Sequence, residues 1–243
     1  MKLPSNVTLP VLAFLLLIPS ALTFAQSPVT GNPAIVPTLR NDWLQRHNGF
    51  VAEAKKGGIN LLFVGDSITD FWRNRGKKVW DERYAPLKAA NFGISGDRTE
   101  HVLWRLQNGE LEGIEPKVTV LMIGTNNTWR DTAEQIAAGV TAIVDEIKKQ
   151  LPHTKILLLA VFPRAEKPDS PLRAQITAIN AILSKLDDGG RTVAYLDIGD
   201  KFLQPDGVLP ASIMPDFLHP NEKGYEIWAK AMEPELTLLL GNK

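Results

Sequence analysis

Short apolar runs recur along the chain, with stretches of helical period between them. Residues 59–64, 117–123, 155–161 and 192–196 read as strands, and 89–92 as a weaker one. The strong runs lack strict polar alternation, so both faces of each strand must be covered. Between them, 132–150 carries Ile136, Val140, Ile143, Val144 and Ile147 at helical spacing, with Thr132 placed to cap it. Segment 38–56 puts Leu39, Trp43, His47, Phe50 and Ala54 on one helical face. Segments 98–107, 171–186 and 221–239 read as further helices, the last with Pro220 in its first turn. This alternation predicts one α/β domain: a three-layer, doubly wound parallel sheet of about five strands, helices on both faces.

Such sheets carry their sites beyond the C-terminal ends of the strands. Here those places are Gly65-Asp66-Ser67, the segment after Phe92, and Gly124-Thr125-Asn126. A serine just past a strand can serve merely as a helix N-cap, or Ser67 can be a nucleophile. Asp216 and His219 stand three apart before the last helix. The pair suits either a structured loop or a carboxylate that orients an imidazole base. Gly96 can be a turn glycine or a backbone donor open to an oxyanion, and Asn126 a turn residue or an amide donor to the same anion. Asp66 is expected to hold the nucleophile loop by accepting backbone N–H bonds. His101, Trp104 and Arg105 read as helix packing and surface charge, Arg164 as a loop charge or a substrate contact, and His47 and His153 as structural or exposed.

Other chemistries lack their residues. The four histidines are not spaced as zinc ligands, and no glycine-rich phosphate loop follows a strand. The chain has no cysteine, which removes thiol nucleophiles and cysteine-bound metals. The last residue of Gly65-Asp-Ser-Ile-Thr69 is not glycine, which departs from the nucleophile elbow of α/β-hydrolases.

Taken together, four blocks resemble the SGNH (GDSL) hydrolases. They are Gly-Asp-Ser-Ile-Thr at Ser67, Asn-Phe-Gly-Ile-Ser-Gly-Asp at Gly96, Gly-Thr-Asn-Asn at Asn126, and Asp-x-x-His at Asp216 and His219. The similarity narrows to the catalytic subunits of type I platelet-activating-factor acetylhydrolase. It is carried by Asn-Phe-Gly-Ile-Ser-Gly-Asp-Arg-Thr-Glu-His-Val-Leu-Trp-Arg-Leu-Gln-Asn-Gly-Glu-Leu over 91–111, Pro-Arg-Ala-Glu-Lys-Pro over 163–168, and Asp-Phe-Leu-His over 216–219. The resemblance implies a flavodoxin-like fold and a serine ester hydrolase that removes short acyl groups, acetyl above all. Ser67, Asp216 and His219 would be its catalytic triad, with Ser67 N–H, Gly96 and Asn126 as the oxyanion hole. It implies no metal or other cofactor, and a possible homodimer. Ser95 stands where those enzymes carry a further glycine.

The N-terminus departs from the intracellular animal enzymes. Lys2, the apolar run 9–17 and small residues up to Ala25 have the order of a secretory signal. The expected organisation is a signal over 1–25, a Pro/Gly/Ser-rich linker without fixed structure over 26–37, and a hydrolase domain over 38–243. The run is short for a membrane span, so an exported chain, periplasmic or secreted, is expected with no stable span after cleavage. With 27 basic and 27 acidic side chains, nothing favours a nucleic-acid partner. The expected partner is a small-molecule or carbohydrate ester. An exported carbohydrate O-deacetylase with the same triad is the alternative substrate reading, and a non-catalytic carbohydrate-binding protein a more distant one.

Overall fold

The computed structural model describes residues 31–241, together with Met1. The expected signal and the linker up to residue 30 lie outside the described residues. The apolar runs become β1 Leu61–Gly65, β2 Ala89–Gly93, β3 Val118–Met122, β4 Lys155–Leu159 and β5 Val193–Leu196. All pair in parallel, in the order β2-β1-β3-β4-β5. This is the expected doubly wound sheet.

The strand order reverses at β1. The chain steps outward from β1 to β2, then returns to place β3 on the other side of β1. Gly65 pairs with Gly93 on one side and Met122 on the other, so the three strands finish level. The segments leaving them emerge side by side at the reversal, where open parallel sheets place their ligand sites.

Successive side chains of a strand point to opposite faces, and here both faces are dry. Leu62 and Val64 join one apolar layer with α1 Leu44–Ala54, α4 Thr99–Arg105, α5 Ala133–Gln150 and α6 Pro171–Leu183. Leu61 and Phe63 join the other with α2 Ser67–Asp70, α3 Lys77–Arg83 and α7 Glu222–Leu240. Each fully buried Leu or Phe contributes about 1.5–3 kcal/mol, which explains why the unbroken runs commit to the centre. Trp72 packs against α7 with ring centroids 4.4 Å from Tyr225 and 4.9 Å from Trp228. That contact presses α7 onto the segment following Ser67.

The helix ends show where local signals held. Thr132 Oγ1 accepts from Gln135 N at 3.3 Å and Gln135 Oε1 accepts from Thr132 N at 2.9 Å, a reciprocal cap for α5. At α7 the cap is Asn221, which accepts from Gly224 N at 3.1 Å, so Pro220 lies before the helix rather than in its first turn. The helix expected from residue 38 begins only at Leu44, after a 3₁₀ turn Asn41–Trp43, because Arg40 keeps an extended backbone while its side chain bonds Ser95 O in the loop after β2. Helix α3 was not foreseen. It is short, and only Val79 of its residues is buried. The end of the expected linker is ordered: Asn32 Nδ2 donates to Gln135 O at 3.1 Å, and Ala34 is buried with its carbonyl accepting from Thr99 Oγ1 at 2.8 Å. Tertiary hydrogen bonds to α4 and α5 override its turn-rich composition. Among the described residues, no helix is long and apolar enough to cross a membrane.

Candidate active site

Ser67 is the first residue of α2, and the cap is its neighbour. Asp66 Oδ1 accepts from Ile68 N at 3.0 Å, as expected of a residue that holds the loop. The Ser67 hydroxyl is thus left free for another partner. Glycine at position 93 lets this turn lie directly on the end of β2, since a Cβ there would fall 2.4 Å from Asp70 N. Tyr225 on α7 donates its hydroxyl to Ile68 O at 2.6 Å, fixing the turn from the other side.

The partner of Ser67 comes from 152 residues away. Its Oγ lies 2.9 Å from His219 Nε2. His219 Nδ1 lies 2.7 Å from Asp216 Oδ2, while Asp216 Oδ1 accepts from His219 N at 2.8 Å and Leu218 N at 3.2 Å. Burial pushes the Asp216 carboxyl up, but the bonds from the His219 backbone and ring outweigh it and leave the group below its ordinary range. An ionised Asp216 only accepts, so Nδ1 must carry the proton and a neutral imidazole turns its Nε2 lone pair to Ser67. Phe217 adopts φ +55°, an uncommon left-handed conformation, and its carbonyl accepts from Ala165 N at 2.9 Å. The ring of Phe71 packs 5.1 Å from that of His219, between centroids.

Gly96 and Asn126 flank Ser67 on the segments leaving β2 and β3. Gly96 has φ +80°, which its lack of a side chain permits. Asn126, in the 3₁₀ turn Thr125–Asn127, donates one Nδ2 hydrogen to Asp97 O at 2.9 Å. That bond closes the two loops on each other and leaves the second amide hydrogen for another acceptor. The sequence therefore marked five residues on four segments. The structure joins three of them directly, and sets the other two on loops either side of the serine.

Behind the Gly96 loop lies a buried charge network that sequence reasoning missed. Arg40 Nη1 donates to Ser95 O at 2.9 Å and to Asp97 Oδ1 at 3.0 Å. Arg105 Nε donates to Asp97 Oδ2 at 2.8 Å, Arg105 also pairs with Glu110, and Glu110 Oε1 lies 2.9 Å from His47 Nδ1. Arg105 is buried, not a surface charge as expected, and His47 is structural. Burial pushes the Asp97 carboxyl up despite Arg105. Arg164 also differs from a solvated loop charge. It is 8% exposed and its Nη1 donates to Thr125 O at 3.0 Å. Asp66 is fully buried with Oδ2 unpartnered, and burial raises its carboxyl to about 7. Among the described residues, no cluster of three or more potential metal ligands occurs.

A sequence profile of the GDSL-like lipase/acylhydrolase family matches residues 63–227, which takes in Ser67, Gly96, Asn126, Asp216 and His219. The chain belongs to that family. As a GDSL-like acylhydrolase it is a hydrolase acting on carboxylic esters. Among its relatives is platelet-activating factor acetylhydrolase IB subunit alpha2. The Rattus norvegicus protein is 42% identical over 215 residues, covering 86% of this chain and 91% of its own. The Homo sapiens protein is 41% identical over the same length. A putative acylhydrolase from Bacteroides fragilis shares the fold with a TM-score of 0.68 at 21% identity, over 84% of this chain and 100% of its own. An acetylxylan esterase from Geobacillus stearothermophilus does so with a TM-score of 0.60 at 21% identity, over 77% and 96%.

Proposed function

We propose that this GDSL-like hydrolase removes short acyl groups, acetyl above all, through an acyl-enzyme formed on Ser67. The observation that carries the reading is the chain Ser67 Oγ–His219 Nε2–Asp216, at 2.9 and 2.7 Å. His219 takes the serine proton as Oγ attacks the ester carbonyl. The tetrahedral anion forms against Ser67 N–H, Gly96 N–H and the free amide hydrogen of Asn126. Each such donor is typically worth about 3 kcal/mol in the transition state. The imidazolium, stabilised by Asp216, then protonates the departing alkoxide, and the alcohol leaves. Water adds to the acyl-enzyme with His219 again as base, and collapse returns the serine and releases the acid.

The acetylhydrolase name of the curated relatives supports a short acyl group. The order of residues 1–25 supports an exported protein, periplasmic or secreted. Hydrolysis of p-nitrophenyl acetate, butyrate and octanoate by the wild type and Ser67→Ala tests the reading. Activity should fall with chain length and nearly vanish in the variant. Serine-independent activity, or absence of fluorophosphonate labelling at Ser67, would refute it.

A further inference from the structure

Trp129 is the one exposed aromatic side chain among the described residues, at 72% exposure. Its position in the fold is far from incidental. It follows the Asn126 turn by three residues, and the turn beneath it is tightly bonded. Thr128 Oγ1 donates to Thr125 O at 2.7 Å, while Arg130 N and Asp131 N both donate to Asn127 O at 2.9 Å. Under the indole lies Arg164, its guanidinium carbon 5.0 Å from the ring centroid. Arg164 is held to Thr125 by Nη1, and the next residue, Ala165, donates its N–H to Phe217 O, between Asp216 and His219. The field of Asp216 also reaches Arg164. Trp129 is therefore mounted on a buried strut that joins the Asn126 loop to the Asp216–His219 loop.

We infer that Trp129 is the platform on which the alcohol part of the substrate rests, and that this alcohol is a neutral sugar ring. The inference builds on the serine-esterase reading above. An indole with one face on a guanidinium and the other open offers a flat, rigid surface suited to the C–H face of a pyranose. A cationic head group, which aromatic faces otherwise attract, is disfavoured because Arg164 already occupies the ring's field. A long alkyl alcohol prefers an enclosed apolar cavity. At this rim the surroundings are polar instead: Asp216 is exposed, and Arg130, next to Trp129, is held by Asp131 at 2.7 Å and Glu100 at 2.9 Å. Such polar surroundings suit a polyhydroxylated ring better than an alkyl chain.

The test compares kcat/KM for acetylated xylo-oligosaccharides, octyl acetate and ethyl acetate in the wild type, Trp129→Ala and Trp129→Phe. The sugar ester should be hydrolysed, and its kcat/KM relative to ethyl acetate should fall about tenfold in Trp129→Ala, chiefly through KM. Trp129→Phe should regain much of that selectivity. The thermal midpoint should hold in both variants, because the ring is exposed. A selectivity ratio that does not move, a larger loss on octyl acetate, or a wild type inactive on the sugar ester would each overturn the inference. If no ester is cleaved in a Ser67-dependent way, the esterase reading fails instead. Calorimetric titration with xylo-oligosaccharide then judges the platform alone, and binding that survives Trp129→Ala overturns it.

Discussion

The hydroxyl of Tyr225 donates to the carbonyl of Ile68 across 2.6 Å, tying the first turn of the last helix to the first turn after the serine. The same helix begins three residues after His219, so α7 positions both reacting side chains relative to each other. Tyr225→Phe deletes this bond and keeps the ring packed on Trp72. A buried carbonyl losing its partner costs about 1–3 kcal/mol. The variant should unfold at lower denaturant with an unchanged m-value, and its kcat should fall more than its KM rises.

Asp216→Asn keeps the oxygen that accepts from His219 N and Leu218 N, so the loop should survive. The new amide donates toward Nδ1, moves the imidazole proton to Nε2, and removes the base from Ser67. By analogy with triads in general, kcat should drop by about 10²–10⁴-fold, with circular dichroism unchanged. A loss below tenfold would mean that Asp216 is only a loop residue.

Gly96→Ala forces a side chain onto φ +80° and sets its Cβ 3.3 Å from Arg40 Nη1. The left-handed backbone alone costs about 1–2 kcal/mol for an L-residue. Thermal denaturation should register that loss, and kcat should fall as the loop moves. Wild-type stability together with wild-type kcat would exclude Gly96 as a positioned donor.

Asp66 makes stability depend on pH with a definite sign. Burial raises its carboxyl from 3.8 to about 7, so the folded state holds a proton that the unfolded state has lost between those values. Stability therefore declines as pH rises from about 4 to about 7, by a few kcal/mol at most. Asp66→Asn retains an oxygen for Ile68 N and removes the titration. Its stability relative to the wild type should improve from pH 4 to pH 7, read by urea denaturation at each pH. Asp216 works in the opposite direction: its lowered carboxyl adds stability above the ordinary carboxylate range and loses it on acidification.

The proposed mechanism draws nucleophile, base and oxyanion donors from the chain itself. Prolonged EDTA treatment should therefore leave ester hydrolysis within about twofold, the range of an uncoupled step. Loss of activity restored by an added divalent metal would contradict the mechanism.

The parallel sheet was legible in the sequence because burial on two faces writes itself locally, as unbroken runs such as Leu61–Gly65 and as the helical spacing of Ile136 to Ile147. The site blocks were legible for a related reason. Each is a short segment whose chemistry is carried by adjacent residues, as in Gly65-Asp66-Ser67 or the three-residue step from Asp216 to His219. What only the tertiary structure decided is how distant segments satisfy one another. Arg40 reaches Ser95 across 55 positions, Glu110 meets His47 across 63, and Arg164 spans to Thr125 across 39. A charged side chain reads as surface until its partner is known, because only pairing and hydrogen bonding make its burial tolerable. The reversal of strand order at β1 is likewise absent from any local pattern. It places Ser67 between the Gly96 and Asn126 loops, because neighbours in a parallel sheet are set by crossover packing rather than by sequence order.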